Sequence, residues 1–336
     1  MSENTMSRKK VSDLALNYAL YVILGLLIVS IIIYDPSFLS IRNFKNILMQ
    51  ASTRAIMALG VAGLIVLQGT DLSAGRVMGL SAAIAASLLQ STDFAARMYP
   101  ELGDIGLFLP FLAAIAVGAI FGIVNGLGVA FLKIHAFIVT LGTQLIAFGL
   151  INLYINSQQF GAQPLGTLNP EYVKFATGSF LGVPNLILYL VITAMIMWVI
   201  WNKTTLGKNM FAIGGNPEAA AVSGINLVKN IMIIYLISGV LYGFSGYLEG
   251  ARLGSVNPNT GFSYELDAIS ACVVGGVSFA GGVGTIPGVL IGAVILQFIN
   301  YGLNYIKVDP NIQYLVRGLI IIIAVAIDAR KYISKK

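Results

Sequence analysis

The chain has 336 residues, of which 57% are hydrophobic and only 10% are charged. Soluble domains carry about 25% charged residues, so this composition excludes an ordinary soluble enzyme or binding module. The net charge of +6 comes from 20 Lys and Arg residues against 14 Asp and Glu residues. Because these cations lie mostly at the ends of apolar stretches, they indicate membrane orientation rather than a nucleic-acid partner.

The apolar stretches predict an all-α, polytopic transmembrane helical bundle. A spanning helix needs about 20 apolar residues, and about ten such helices fit the chain. The third and eighth are short and rich in small residues, which leaves open that either is broken or re-entrant. The first is interpreted as a retained span, since no small-residue cleavage pattern follows it. The predicted spans are residues 18–34, 47–67, 74–89, 107–132, 137–155, 183–201, 231–248, 266–279, 283–303 and 312–327.

The distribution of cations predicts that both termini are cytoplasmic. With that orientation, 12 cations fall in inner segments, 6 in outer segments and 2 within spans, as the positive-inside rule requires. Residues 1–17 then form a cytoplasmic N-terminal segment, residues 18–328 a transmembrane domain and residues 329–336 a cytoplasmic tail. The longest inner segment is 202–230.

Two glycine-rich segments suggest an internal repeat. Residues 69–75 and 275–281 share the pattern Gly-x4-Ala-Gly, and each precedes an apolar helix. Paired interruptions of this kind are typical of transporters built from repeats. The stretch 275–292 lacks the lysine of a phosphate-binding loop, so it predicts close helix packing rather than ATP binding.

Few charged residues lie within or near the spans. Arg54 and Arg317 lie within them, and Glu249 and Asp267 are predicted near outer helix ends. The absence of a predicted chain of titratable groups across the midplane counts against an ion-coupled carrier. His135 is the only histidine, so no histidine-cluster metal site is expected.

Amide side chains within the spans have two interpretations that the sequence leaves open. They could contact a neutral, hydroxyl-rich solute, or they could hydrogen-bond one helix to another. These amides are Gln68, Asn125, Gln144, Asn152, Gln297 and Asn300.

The inner segment contains a predicted short helix. Asn216 is placed to cap it, Pro217 suits its first position, and Glu218 favours its dipole. Gly224 is expected to end it. A simple connection between spans is the alternative interpretation.

These residues carry a family resemblance. GNPEAAAVSGI (215–225) resembles the cytoplasmic coupling segment of permease subunits in ATP-binding-cassette (ABC) sugar importers of the ribose/galactose type. QGTDLSAGR (68–76) and ACVVGGVSFAGGVGT (271–285) resemble two further signatures of that family. The resemblance extends from residue 18 to the lysine-rich end and is nearest to the galactose/methyl-galactoside branch.

The resemblance implies a type II-like importer permease in the bacterial inner membrane. Two permease copies would form the pore, a cytoplasmic ABC ATPase would bind ATP and dock on the coupling helices, and a periplasmic sugar-binding protein would deliver galactose, methyl galactoside or glucose. The chain itself would be non-catalytic and would need no cofactor or metal. By the matching motif, the ATPase-coupling residues are Asn216, Pro217, Glu218, Ala219, Ala220 and Gly224.

The binding-protein contact, the solute and the class of protein are considered last. Arg252, in a predicted outer turn at 250–254, is expected to help dock the binding protein. The solute could be another monosaccharide such as ribose, and no pore-lining residue can be named. An ion-coupled secondary carrier and an intramembrane enzyme are the competing classes; the enzyme is disfavoured because no acid, base or nucleophile pair is placed at depth.

Overall fold

The computed structural model describes residues 22, 24–159 and 161–333, with side chains described as far as residue 326. The described part of the first predicted span is the helix Leu24–Tyr34. The predicted N-terminal segment 1–17 lies outside the described residues.

The described chain is built almost entirely from helices, which confirms the all-α prediction. Short irregular elements join them: a 3₁₀ turn at Pro36–Phe38, a π-helical turn at Leu127–Phe131 that continues the fourth helix, and a two-stranded hairpin of β1 (Ser179–Phe180) and β2 (Val183–Pro184). The helices are α1 Leu24–Tyr34, α2 Ile41–Val66, α3 Ala74–Leu88, α4 Phe108–Gly126, α5 Ala136–Asn156, α6 Pro170–Thr177, α7 Asn185–Lys203, α8 Thr205–Gly215, α9 Pro217–Val222, α10 Leu227–Leu253, α11 Tyr264–Val274, α12 Ile286–Tyr305 and α13 Pro310–Ile333.

Six of the described helices are long and apolar enough to cross a membrane, namely α2, α4, α5, α7, α10 and α12. Three shorter apolar helices are Leu24–Tyr34, Ala74–Leu88 and Pro310–Ala326. At about 1.5 Å per residue, the 11 residues of α11 span roughly half of a hydrocarbon core about 30 Å thick. The predicted eighth span is therefore not a complete helix, and the number of crossings stays a prediction.

Polar caps explain where several helices begin. The Ser40 hydroxyl accepts a hydrogen bond from the Asn43 backbone N–H at 3.2 Å, so α2 begins six residues before the predicted span. Asn226 caps α10 in the same way, accepting from the Lys229 N–H at 2.9 Å. A side-chain acceptor satisfies an N–H group that would otherwise be unpaired at a helix start.

The centre of the bundle is formed by α2 and α10. In α2, 83% of the apolar stretch is buried within the protein, against 28% in α5 and in α7. Glycine pairs on α4 (Gly118, Gly122) and α10 (Gly239, Gly243) let these two helices touch through their backbones. Small residues four apart permit such close helix crossings in membranes.

Two short helices, α3 and α11, are preceded by irregular segments that enter the bundle. Gln68 lies beside Gly214 of α8, at the end of the bundle that carries α8 and α9. The segment 69–73 leads from there into α3, whose last turn lies at the opposite end. In the reverse direction, residues 254–263 lead from the end of α10 into α11. In both cases the irregular segment enters the bundle and the short helix continues in the same direction.

Candidate functional site: the coupling segment and the buried polar clusters

The start of α9 matches its prediction. Asn216 Oδ1 accepts a hydrogen bond from the Ala219 backbone N–H at 3.0 Å. Pro217 occupies the first turn, where its missing N–H would be unpaired in any case. Glu218 lies in the same turn, where its charge favours the helix dipole.

The end of α9 is set by Gly224. Its φ of +83° is readily adopted only by glycine. The Gly224 N–H donates to the Ala221 carbonyl at 3.0 Å, and the Ile225 N–H donates to the Ala220 carbonyl at 3.1 Å. This pair of hydrogen bonds is the Schellman arrangement, so the glycine fixes both the helix end and the return of the chain towards α10.

The surface of α9 faces outward from the bundle. Asn216, Pro217, Glu218 and Ala219 are exposed, whereas Ala220 is buried. Val222 is 91% exposed, a large apolar side chain left open on a short helix. Val222 is not among the predicted coupling residues, although a large apolar residue at the end of a capped helix is recognisable in the sequence.

Helix α8, which the sequence analysis does not predict, attaches α9 to the bundle. Thr204 Oγ1 accepts from the Gly207 N–H at 3.3 Å to begin it. Met210 and Ile213 are buried. Gly214 packs directly against the Val66 carbonyl at the end of α2, so α8 lies on the end of the most buried helix.

Gln68 joins three separate segments of the chain. Its side-chain Nε2 donates to the Gly214 carbonyl at 2.9 Å and to the Ala280 carbonyl at 3.0 Å. The Gly282 N–H donates to the Val66 carbonyl at 2.9 Å. Two of the segments resembling family signatures therefore meet here, directly before the third, which begins at Gly215. We call this position the Gln68 junction (Gln68, Gly214 and Ala280).

The glycine-rich stretch 275–292 serves close packing within the chain. Gly275 and Gly288 approach each other through their backbones, as do Gly292 and Ala271. These contacts bring α11 against α12, as predicted for helix packing.

An ionic cluster lies within the bundle between α2, α10, α11, α12 and α13. Arg54 Nη1 lies 3.3 Å from Asp267 Oδ2 and donates to Gln297 Oε1 at 2.6 Å. Arg317 Nη1 lies 3.8 Å from the other Asp267 oxygen, and its Nε donates to Asn300 Oδ1 at 3.1 Å. Asp267 thus pairs with both arginines singled out along the sequence, which lowers the penalty of burying these charges.

Arg252 does not lie in a turn, as the sequence analysis placed it, but in the last turn of α10. Its guanidinium forms two hydrogen bonds with the Glu249 carboxylate, at 2.8 and 2.7 Å. This pair satisfies a carboxylate that is fully buried. Thr53 and Tyr264 also donate to Glu249, at 2.8 and 3.1 Å.

Glu249 and Asp267 lie near helix ends, as predicted, in the last turns of α10 and the first turn of α11. Asp71 and Glu265, like Glu249 and Asp267, are buried within the bundle. Asp71 accepts from the Ser73 hydroxyl at 2.6 Å.

The amides within the bundle mostly join one helix to another. Asn125 donates to Ser73 at 2.9 Å and accepts from Thr143 at 2.7 Å. Gln297 and Asn300 bind the arginines of the ionic cluster. Asn152 instead donates to the Phe148 carbonyl on its own helix, at 2.7 Å. Within the described residues, no group of three or more His, Cys, Asp or Glu side chains could hold a metal.

Comparison with known proteins identifies the class of this bundle. A family model described as a branched-chain amino acid transport system permease component matches residues 43–325. The chain is 50% identical to the galactose/methyl galactoside import permease protein MglC of Haemophilus influenzae, over 99% of this chain and all of that protein. The chain belongs to this permease family.

Further relatives within the permease family show how the likeness varies. The MglC protein of Escherichia coli K12 is 52% identical over 94% of this chain and 95% of that protein. The ribose import permease protein RbsC of the same strain is 38% identical over 88% of each chain. No solved structure matches the chain. The family description names amino acids, whereas these relatives are named for sugars. Family membership therefore establishes a transport permease, and the solute must be inferred from the identity to individual relatives.

Proposed function

We propose that this permease is the membrane subunit of an ATP-driven, binding-protein-dependent importer of galactose and methyl galactoside. The observation that carries the proposal is the near-full-length identity of 50–52% to proteins named for that import. Identity to the ribose import permease is lower, at 38%, which favours galactose over ribose. Glucose, which differs from galactose only at one hydroxyl-bearing carbon, is included as a further solute.

The second part of the proposal is that α9 docks on a cytoplasmic ABC ATPase. Its capped start and glycine end make it a defined helix, and its exposed residues Asn216, Pro217, Glu218 and Ala219 present a surface. The open Val222 side chain, at the end of the same helix, supports an additional apolar contact. Ala220, which faces the bundle, and Gly224, which fixes the return of the chain, would transmit motion rather than touch the ATPase.

Motion of α9 would reach the membrane domain through α8 and the Gln68 junction. Gly214 contacts the end of α2, and Gln68 bonds α8 to the segments that precede α3 and α12. A docked ATPase that closes on ATP would therefore move three membrane segments together. This is rigid-body coupling through a packed joint.

The remaining partners and the orientation belong to the same proposal. A second permease copy completes the pore in the bacterial inner membrane, and a periplasmic sugar-binding protein docks on the opposite end of the bundle. Both termini are cytoplasmic, with residues 1–17 and 329–336 as the terminal segments and 202–230 as the coupling segment. The described chain is helical through Ile333, so α13 would extend into the predicted tail.

Arg252 is retained as a contact of the binding protein, although its main partner is Glu249. Its side chain is 16% exposed, so part of it reaches the surface. A test of docking must separate this contact from the ion pair. Arg252→Lys keeps the charge at this position, so a loss of binding-protein affinity in that variant, with unchanged thermal stability, would support docking.

The coupling proposal can be tested with two matched glutamates. Glu218 follows Asn216-Pro217 at the start of α9, and Glu171 follows Asn169-Pro170 at the start of α6, at the other end of the bundle. Both are exposed in the first turn of a short helix. Glu218→Lys should abolish ATPase co-purification and galactose uptake, whereas Glu171→Lys should retain both.

Two results would contradict the proposal. If Glu218→Lys co-purifies with an ATPase and imports galactose at the rate of Glu171→Lys, α9 is not the docking helix. If the purified chain alone accumulates galactose in proteoliposomes when an ion gradient is imposed, it is a secondary carrier and not an ATP-driven permease.

A further inference from the structure

The segment 254–263 between α10 and α11 descends into the bundle. Gly254 ends α10 with a φ of +70°, and Val256 packs beside Gly250. The Thr260 carbonyl then contacts Gly79 of α3, whose neighbour Met78 lies against Gly246 of α10. Because Gly246 precedes Gly254 by eight residues, the segment reaches about 12 Å below the end of the helix.

Irregular backbone at this depth cannot face lipid. Its unpaired peptide groups would have no partner in hydrocarbon, so such segments occur in membranes only where protein covers them or where they line a water-filled cavity. One side of the segment is covered, since Thr260 and Gly261 are buried against α3. The other side is open: Asn259 is exposed and Phe262 is 51% exposed. An exposed amide at this depth would have no partner in lipid, so this side faces either water or a partner chain.

Side chains from α3, α5 and α11 converge at this open side. Arg76 lies between two aromatic rings, 4.4 Å from the Phe148 centroid and 4.8 Å from the Phe262 centroid. It also donates to the Pro258 carbonyl at 3.0 Å. The guanidinium thereby fixes the segment 254–263 to α3 and orients both rings.

A carboxylate three residues after Phe262, packed against Gly75 of α3, has unused hydrogen-bonding capacity. Glu265 Oε1 accepts from Gln144 Nε2 at 3.2 Å. Its second oxygen, Oε2, is buried without a hydrogen-bond partner in the described part of the chain. Gln144 is the ninth of the 21 residues of α5, so the pair lies near the middle of a spanning helix. Orphaned buried oxygens are rare and call for a ligand or water.

We propose that Arg76, Gln144, Phe148, Phe262 and Glu265 form a solute-binding station in the translocation path. We call these five residues the path cluster. Its ligand is a neutral, ring-shaped polyol: the aromatic faces receive the apolar C–H face of the ring, and Gln144 and Glu265 bond its hydroxyls. Binding sites for small molecules commonly combine aromatic walls with a few polar groups in this way. The choice of sugar as ligand rests on the proposed function, whereas the water-filled path rests on the fold alone.

The path is tested by cysteine accessibility in the complete transport complex in proteoliposomes. Phe262→Cys is compared with Ile196→Cys, which is 55% exposed near the middle of α7. The native Cys272 is fully buried, so the unmodified complex provides the background. A charged, membrane-impermeant thiosulfonate reagent should label Phe262→Cys at least tenfold faster than Ile196→Cys, and galactose should slow that labelling. Equal labelling of the two positions, or disulfide formation between two copies at Phe262→Cys in place of labelling, would overturn the proposal.

The binding role is tested by Glu265→Gln, with the exposed Glu101→Gln as its control. Glu265→Gln should raise the KM for galactose uptake tenfold or more and change the relative uptake of galactose epimers, whereas Glu101→Gln should leave both unchanged. A structural role would reduce the amount of assembled complex without altering solute preference, and that outcome would overturn the role of Glu265. If the unmodified complex imports a solute other than galactose, the proposed function fails, yet labelling of Phe262→Cys would still establish the path.

Discussion

Two adjacent glycines at the end of α8 allow the attachment of the coupling segment to be tested directly. A Cβ added at Gly214 would overlap the Val66 carbonyl and lie 2.7 Å from the Gly282 nitrogen, whereas an ordinary contact is 3.4–4 Å. A Cβ added at Gly215 would meet nothing within 4 Å. Gly214→Ala therefore forces α8 away from α2, and Gly215→Ala leaves it in place.

The magnitude of the effect follows from these contacts. Overpacking against backbone costs about 1–3 kcal/mol. A shift of α8 also breaks the hydrogen bond from Gln68 to the Gly214 carbonyl, which contributes about 0.5–1.5 kcal/mol. Alanine has a higher helix propensity than glycine, which offsets at most about 1 kcal/mol of this cost. The net loss of roughly 1–3 kcal/mol reduces the ratio of attached to detached α8 by about 5- to 150-fold.

The assay is ATP-dependent galactose uptake by the complete complex in proteoliposomes, together with ATP hydrolysis by the same preparation. Gly214→Ala should assemble with its ATPase and hydrolyse ATP, because α9 is intact, while its uptake falls at least fivefold. Gly215→Ala should transport like the unmodified protein. Equal uptake by the two variants would refute the idea that α8 transmits force through Gly214.

Two further predictions concern the bundle itself. Arg252→Ala should leave the buried Glu249 carboxylate without its ion-pair partner and lower the free energy of unfolding by about 3–5 kcal/mol, measured as a fall in Tm in detergent. A variant that also carries Glu249→Gln should recover part of that loss. An unchanged Tm in Arg252→Ala would contradict the pairing. Gly239→Ala places a Cβ 2.9 Å from Gly122 Cα and should lower stability by about 1–3 kcal/mol, whereas Gly149→Ala, which meets open space, should have no effect; equal Tm values would exclude a close crossing of α4 and α10.

Local signals in the sequence predicted much of the secondary structure. The start of α3 and the bounds of α9 follow from apolar length and from caps, both of which depend on neighbouring residues. The predicted span 266–279 is a broken helix, one of the two interpretations left open by its small residues, because Gly275 ends α11 and Gly276 adopts a φ of +83°. A continuous apolar run is thus interrupted by backbone conformation. Hydropathy does not register such an interruption, since glycine is neutral on that scale and apolar residues continue beyond it.

Contacts between distant residues were beyond sequence reasoning. Arg54 and Asp267 were each recognised as charges near spans, yet nothing local to either indicates the other. The same holds for Gln68, which bonds to a carbonyl 146 residues away. Helix α10 was predicted too short because Glu249 and Arg252 look like a helix end when their mutual ion pair is unknown. Side-chain pairing across the fold, rather than propensity, decided these cases.

The Gln68 junction offers a second, independent test that separates binding of the ATPase by α9 from transfer of its motion to the membrane helices. Gln68 has a φ of +62°, a conformation that asparagine tolerates better than most residues. Gln68→Asn therefore preserves the backbone while shortening the side chain by one methylene, so that its amide no longer reaches the Gly214 and Ala280 carbonyls.

Because α9 itself is untouched, Gln68→Asn should bind the ATPase as tightly as the unmodified protein does. The loss of two hydrogen bonds, about 1–3 kcal/mol in total, would loosen the joint that moves α3 and α12 with α8. ATP hydrolysis should then continue with several-fold less galactose transported per ATP, as for Gly214→Ala and unlike Glu218→Lys. If Gln68→Asn transports galactose with normal stoichiometry, the junction is only a structural contact, and force from the ATPase must reach the path through the packing of α8 on α2 alone.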